Sequence, residues 1–106
     1  MMRDFAIETL IADNAKADKR YTEFLRVPAM SAGIYVLPAG ATDLQNPHNQ
    51  DEVYYVLRGR SKFISGGQET VAEPGRLIYV PAHEEHRFFD IEEEIVLLVL
   101  FAPEEG

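Results

Sequence analysis

Hydrophobic and polar positions repeat with two different periods along this chain, and the change of period divides it. From residue 4 to 12 the stretch DFAIETLIA sets Phe5, Ile7, Leu10 and Ile11 near helical spacing behind a capping Asp4, which predicts a single helix. Everything after it reads as strand and turn. YTEFLRV from Tyr21 and MSAGIYVLPAG from Met30 are apolar runs parted by a turn at Pro28, the second closed by Pro38 and Gly40. EVYYVLRGRSKFI from Glu52 is rich in β-branched and aromatic residues, with Gly59 marking a bend or bulge. SGGQET is a hairpin turn built on Gly66 and Gly67. RLIYVPA, HRFFDI and EIVLLVLFAP follow as further strands, the last a near-continuous apolar run expected to be covered on both faces. IEEEI at 91–95 reads as a solvated turn, and the terminal PEEG as a fraying end. Short strands punctuated by Gly and Pro every ~8 to 12 residues predict a sandwich or barrel, and closing the sheet would also remove its exposed edges.

One polar pattern does not suit a bland barrel. Alternate side chains of an extended chain share a face, so Asn46, His48, Glu52, Tyr54 and Val56 point the same way if the strand reaches back that far. A lone carboxylate on an inward face needs a partner. His86 stands in a second polar cluster, while His83, of opposite parity, reads as an exposed turn residue and Arg58 as a surface charge.

At 106 residues the chain has the length of one domain, with 1–20 as an N-terminal helical and extended segment and 21–103 as the barrel. The chain has no cysteine, which removes disulfides, thiolate zinc sites and a thiol nucleophile and agrees with a reducing, cytoplasmic setting. No stretch approaches the ~20 apolar residues of a membrane span. Ten basic against 18 acidic residues give a net charge of −8, which argues against nucleic-acid binding. A serine nucleophile elbow, a phosphate-binding glycine loop and a dinucleotide fingerprint are all absent from the sequence.

The spacing of the polar residues resembles the cupin superfamily, and within it the small single-domain bacterial cupins. The first cupin motif is met by Gly40, five residues, Asn46, one, His48, three, Glu52, six and Gly59, with Asn46 where the first histidine of the motif stands. The second is met by Gly75, five residues, Pro81, one, His83, two, His86, three and Asp90, with His83 and Asp90 in place of Gly and Asn. The closing LVLFAPEEG is also similar to the end of such chains. The resemblance implies an all-β fold, a double-stranded β-helix or jelly-roll barrel of RmlC-like type, preceded here by the short helix.

It further implies one divalent transition metal (Fe, Mn, Ni or Zn) held by His48, Glu52 and His86, with Asn46 or its neighbour Gln45 at the fourth position. Two imidazoles and a carboxylate are also the donor set of non-haem Fe(II) oxygenases. Tyr54, Val56 and Phe88 are expected to wall a substrate pocket. The implied function is a metal-binding protein acting on or binding a small molecule, by dioxygenase, isomerase or lyase chemistry. The alternative is a non-catalytic sensing module working through a protein partner. A homodimer is expected, with the IVLLVLF run as a strand-mediated interface.

Overall fold

The computed structural model describes residues 1–105 of the chain. In chain order it comprises helix α1 (Ile7–Ala17) and strands β1 (Tyr21–Val27), β2 (Met30–Leu37), β3 (Asp51–Ser65), β4 (Gln68–Ala72), β5 (Leu77–Val80) and β6 (His86–Ala102). All strand pairings are antiparallel, in the spatial order β1-β2-β6-β3-β4 with β5 added to β3. The two long strands curl the sheet. β6 lies between β2 and β3, so that Leu98 stands between Ile34 and Tyr55, while β3 takes β5 along Glu52–Tyr55 and β4 along Ser61–Ser65. The result is the expected jelly-roll β-barrel with a short N-terminal helix. Its buried core includes Leu37, Tyr54, Val56, Phe63, Phe88, Ile95 and Leu97. Tyr54, Phe63 and Phe88 meet with ring centroids 4.6 to 5.6 Å apart, the spacing at which edge-to-face aromatic contacts add to simple burial.

The period-2 reading of β3 holds only up to Gly59. Glu52, Tyr54 and Val56 are buried, but beyond the glycine the buried residues are Ser61 and Phe63, of opposite parity. Gly59 has φ +90°, and a Cβ placed there would sit 2.1 Å from the carbonyl oxygen of Glu94 and 2.7 Å from Ile95 Cα. The register against β6 shifts three times between Val56 and Lys62, which is how the bend is absorbed and the inward face changes parity.

Two local expectations are corrected. HRFFDI and EIVLLVLFAP are one strand, and IEEEI is no turn: it runs inside β6 with Glu92, Glu93 and Glu94 exposed. Glu92 faces Arg60 of the bent β3 at 3.4 Å, and Asp90, just before the stretch, faces Lys62 at 3.5 Å. The glutamates are solvated, as expected, but pairing to β3 overrides the turn-like composition. The helix also differs from 4–12, starting after an uncapped Ala6 and ending at Asp18, whose φ is 54°. Its inward face carries half-buried Ile7, Leu10 and Ile11 and then buried Asn14, so a polar residue occupies the next position of the apolar stripe. Asn14 Nδ2 donates to Thr22 Oγ1 at 2.9 Å, Ile34 O at 3.1 Å and Arg20 O at 3.2 Å, which fastens the helix to β1 and β2. Arg58, exposed as expected, pairs with Glu8 of the same helix.

The IVLLVLF run belongs to the centre of the sheet. Ile95, Val96, Leu97, Val99 and Phe101 are buried, and β6 is paired on both sides, so it offers no free edge. Apolar exposure concentrates instead on the outer face of β3 and β5, where Tyr55 opposes Leu77 and Tyr79 opposes Val53. No helix among the described residues is long and apolar enough to cross a membrane.

Candidate metal centre

Three elements bring the polar residues together. Glu52 enters from the start of β3, between Val80 of β5 and Phe101 of β6, and is 2% exposed. His86 opens β6, and His48 comes from the irregular segment that precedes β3. His86 Nε2 lies 3.1 Å and His48 Nε2 3.8 Å from Glu52 Oε1. One donor atom from each of the three residues falls within 4.8 Å of the other two.

Glu52 Oε1 and His86 Nε2 are buried, face each other at 3.1 Å, and make no hydrogen bond to any other described group. A buried polar atom left without a partner costs about 1–3 kcal/mol, and two that converge mark a place where something else completes them. A divalent cation fits: the donors are two neutral-capable imidazole nitrogens and a carboxylate oxygen, the set that first-row transition metals take.

The surroundings orient these donors. His86 Nδ1 lies 2.9 Å from the carbonyl oxygen of Glu84, and its ring packs against Tyr54 and Phe63 with centroids 6.0 Å away. Burial lowers the His86 pKa, but the contact with Glu52 and the Glu84 carbonyl outweigh it, and the net shift is upward. His48 packs edge-on against Phe101 at 4.9 Å. Its Nε2 is 3.3 Å from Gln45 Oε1, and its Nδ1 is 3.2 Å from Glu105 Oε2. Gln45 is itself locked: its Nε2 donates to Asp43 Oδ2 at 2.7 Å, and its Oε1 accepts from the Tyr54 hydroxyl at 3.1 Å. Asp43, 4% exposed, also accepts from the Tyr35 hydroxyl and from the Phe88 amide, so the Gln45 carbonyl is turned toward His48. Burial pushes the phenols of Tyr21, Tyr35 and Tyr54 well above their ordinary range, which keeps all three protonated as donors.

The site residues read from the sequence separate into those brought together and those not. Gln45, His48, Glu52 and Tyr54 line one cavity of about 410 Å³, and His86 reaches Glu52 without itself lining that cavity. Asn46 also borders it, but with an exposed side chain: residues 41–48 are irregular, and the alternation that would have turned Asn46 inward does not extend back from β3. Val56 and Phe88 lie in the core and not in this cavity wall. His83 is an exposed turn residue with φ 69°, as expected. Tyr21, Tyr35, Asp43 and Glu105 join the site although nothing in the spacing of the sequence points to them. The PEEG end does not fray through Glu105, which lines the cavity beside His48. Burial raises its carboxyl pKa, and the neighbouring His48 offsets part of that shift. No local signal distinguishes this glutamate from its neighbour Glu104.

Comparisons with known proteins place the fold. The chain is 44% identical over 105 residues to an uncharacterized protein of Streptomyces coelicolor, covering 99% of this chain and all of that one. The ectoine synthase of P. lautus superposes with a TM-score of 0.77 at 19% identity, over 97% of this chain and 79% of that one. The DMSP lyase DddQ of Ruegeria pomeroyi gives 0.70 at 21% identity, over 78% and 47% respectively. These two solved structures speak to the fold alone. The family description "Cupin domain" matches residues 33–102, a span holding His48, Glu52 and His86, and the chain belongs to the cupin family.

Proposed function

We propose that the protein binds one divalent transition metal through His48, Glu52 and His86, with the Gln45 carbonyl as a fourth donor, and uses it on a small molecule in the adjoining cavity. The observation that carries this reading is the convergence of two buried donor atoms, Glu52 Oε1 and His86 Nε2, which lie 3.1 Å apart and make no hydrogen bond to any other described group. When bound, such a metal polarises an oxygen of its ligand as a Lewis acid or, if redox-active, supports oxygen chemistry. Gln45 in place of a histidine makes the donor set harder, which suits Fe, Mn, Ni or Zn over a softer ion.

The cavity walls favour a particular class of molecule. A volume of about 410 Å³ suits a small metabolite. Glu52 and Glu105 border it and among the described residues no lysine or arginine does, so with a divalent ion bound the site has no surplus positive charge to draw a polyanion, and a small neutral polar molecule is favoured. The Tyr21 hydroxyl is buried without a partner and stands ready to donate to that molecule.

Elemental analysis of untagged protein tests the reading, with near one transition metal per chain as the expected result. An empty protein that also ignores added Fe, Mn, Ni and Zn would overturn it. Proton competition gives a second signature. The raised His86 pKa contributes stability to the metal-free protein that is fully present below an ordinary histidine pKa of about 6.5 and is lost as pH rises through the folded value. Metal needs the neutral ring, so its affinity runs the other way and falls as pH drops through that same raised value. Melting temperatures across pH, with and without zinc, should therefore slope in opposite directions over that window; parallel slopes would remove His86 from the site.

We also propose a homodimer through the outer face of β3 and β5, where Leu77 is 69% and Tyr79 61% exposed beside Tyr55. β5 pairs only with β3 and leaves a free edge for a second copy. Light scattering should give twice the mass of one chain, reduced to one in Leu77→Asp; a monomeric wild type would end this proposal.

A further inference from the structure

Both imidazoles present Nε2 to the centre of the site and turn Nδ1 toward an oxygen acceptor. For His86 that acceptor is the main-chain carbonyl of Glu84 at 2.9 Å. For His48 it is a side-chain carboxylate, Glu105 Oε2, at 3.2 Å. His48 and Glu105 are far apart in sequence, and the contact exists because the segment after β6 is tied down beside the cavity. The Glu105 amide donates to Ser31 Oγ at 2.9 Å, where Ser31 is fully buried in β2. Gln50 Nε2 donates to the Glu104 carbonyl at 3.1 Å. These two contacts fix the main chain of Glu104 and Glu105 beside the cavity, where the Glu105 side chain is 31% exposed.

An oxygen acceptor at one ring nitrogen requires the proton there and leaves the lone pair on the other. The acceptor therefore selects which nitrogen of His48 is free to bind. Gln45 Oε1 competes for the opposite arrangement, since it lies 3.3 Å from Nε2 and would accept a proton carried there. Without Glu105 this competitor alone would decide, and the nitrogen facing Glu52 would carry the proton.

We infer that Glu105 is a positioning residue for the metal centre: it holds the proton on His48 Nδ1, aims Nε2 at the position shared with Glu52 and His86, and closes that side of the cavity. This role rests on the proposed metal reading. It makes the segment after β6 part of the site, although the family description matched ends at residue 102.

The test combines nitrogen NMR of the imidazole rings with zinc titration calorimetry on the wild type, Glu105→Gln and Glu105→Ala. With three histidines in the chain, the ring signals are few enough to assign. The wild type should carry the His48 proton on Nδ1, and Glu105→Ala should move it toward Nε2. Loss of an outer carboxylate on a ligating histidine weakens metal affinity by about 10- to 100-fold, so Glu105→Ala should fall in that range. Glu105→Gln, which keeps an acceptor oxygen, should fall between it and the wild type. A role limited to anchoring the chain end would lower the melting temperature without moving the proton, and would overturn the inference. Wild-type zinc affinity and ring protonation in Glu105→Ala would overturn it as well, leaving the metal reading intact. Absence of zinc binding by the wild type would overturn the metal reading and this role with it.

Discussion

Replacing His86 by alanine is expected to take the protein from near one bound metal per chain to none while leaving it folded. The ring is 1% exposed and supplies one of the two buried donor atoms that converge in the site. What remains is His48 and Glu52, with Nε2 and Oε1 3.8 Å apart, and the weaker carbonyl donor of Gln45, too little to hold the metal tightly. Ligand linkage provides the magnitude: at 100-fold excess over its dissociation constant, a metal that binds only the folded state adds about 2.7 kcal/mol. The wild type should show that gain as a rise in melting temperature on adding zinc, and His86→Ala should show none. His83→Ala is the control, because His83 lies in an exposed turn outside the donor group and should behave as wild type. Stoichiometric, undiminished binding by His86→Ala would put the metal elsewhere on the surface.

Gly59→Ala is expected to be the most damaging single methyl group that can be added to this barrel. Two costs coincide there. The backbone has φ +90°, which an L side chain resists, and the new Cβ would meet main-chain atoms, 2.1 Å from Glu94 O and 2.7 Å from Ile95 Cα. Main chain cannot rotate aside, so β3 and β6 would have to separate where their register shifts. A loss above about 4 kcal/mol follows, an exceptional size for one substitution that the combination of overpacking and backbone strain accounts for. Gly67→Ala isolates the first cost: its φ is 81°, but a Cβ there meets nothing within 4 Å, so a loss of about 1–2 kcal/mol is expected. Urea denaturation of the two variants measures the difference. Equal losses would mean that close approach of β6 is not the reason for glycine at position 59.

The two variants address separate layers of the molecule. Gly59 holds the bend that changes the inward parity of β3, and Phe63, beyond the bend, packs against the His86 ring with centroids 6.0 Å apart. A lesion at Gly59 should therefore reach the proposed metal site through the fold, whereas His86→Ala is expected to leave the fold and remove the donor. Measuring zinc affinity in both separates a site lost locally from one lost by loosening the barrel.

Most of the strands and their inward residues near the site are legible in the order of residues alone, and the grouping of His48, Glu52 and His86 is legible through the resemblance of their spacing to the cupin motifs. Alternation along a strand is a local property, so the burial of Glu52, Tyr54 and Val56 follows from their spacing. The placement of His48, Glu52 and His86 among turn-forming Gly and Pro residues is likewise a pattern of the chain itself. Other features depend on contacts that spacing cannot carry. Asn46 falls on the motif's spacing but lies in irregular chain with its side chain exposed, while Gln45 is turned inward because Asp43, itself bound to the Phe88 amide of β6, holds its amide group. IEEEI has the composition of a turn and is strand because β3 bends to pair with it. Glu105 carries no mark that separates it from Glu104; only closure of the barrel, with the chain end anchored to Ser31, brings it against His48. The physical reason is common to all three: local pattern encodes which face a residue prefers, and the partner on that face is chosen by contacts between segments far apart in the chain.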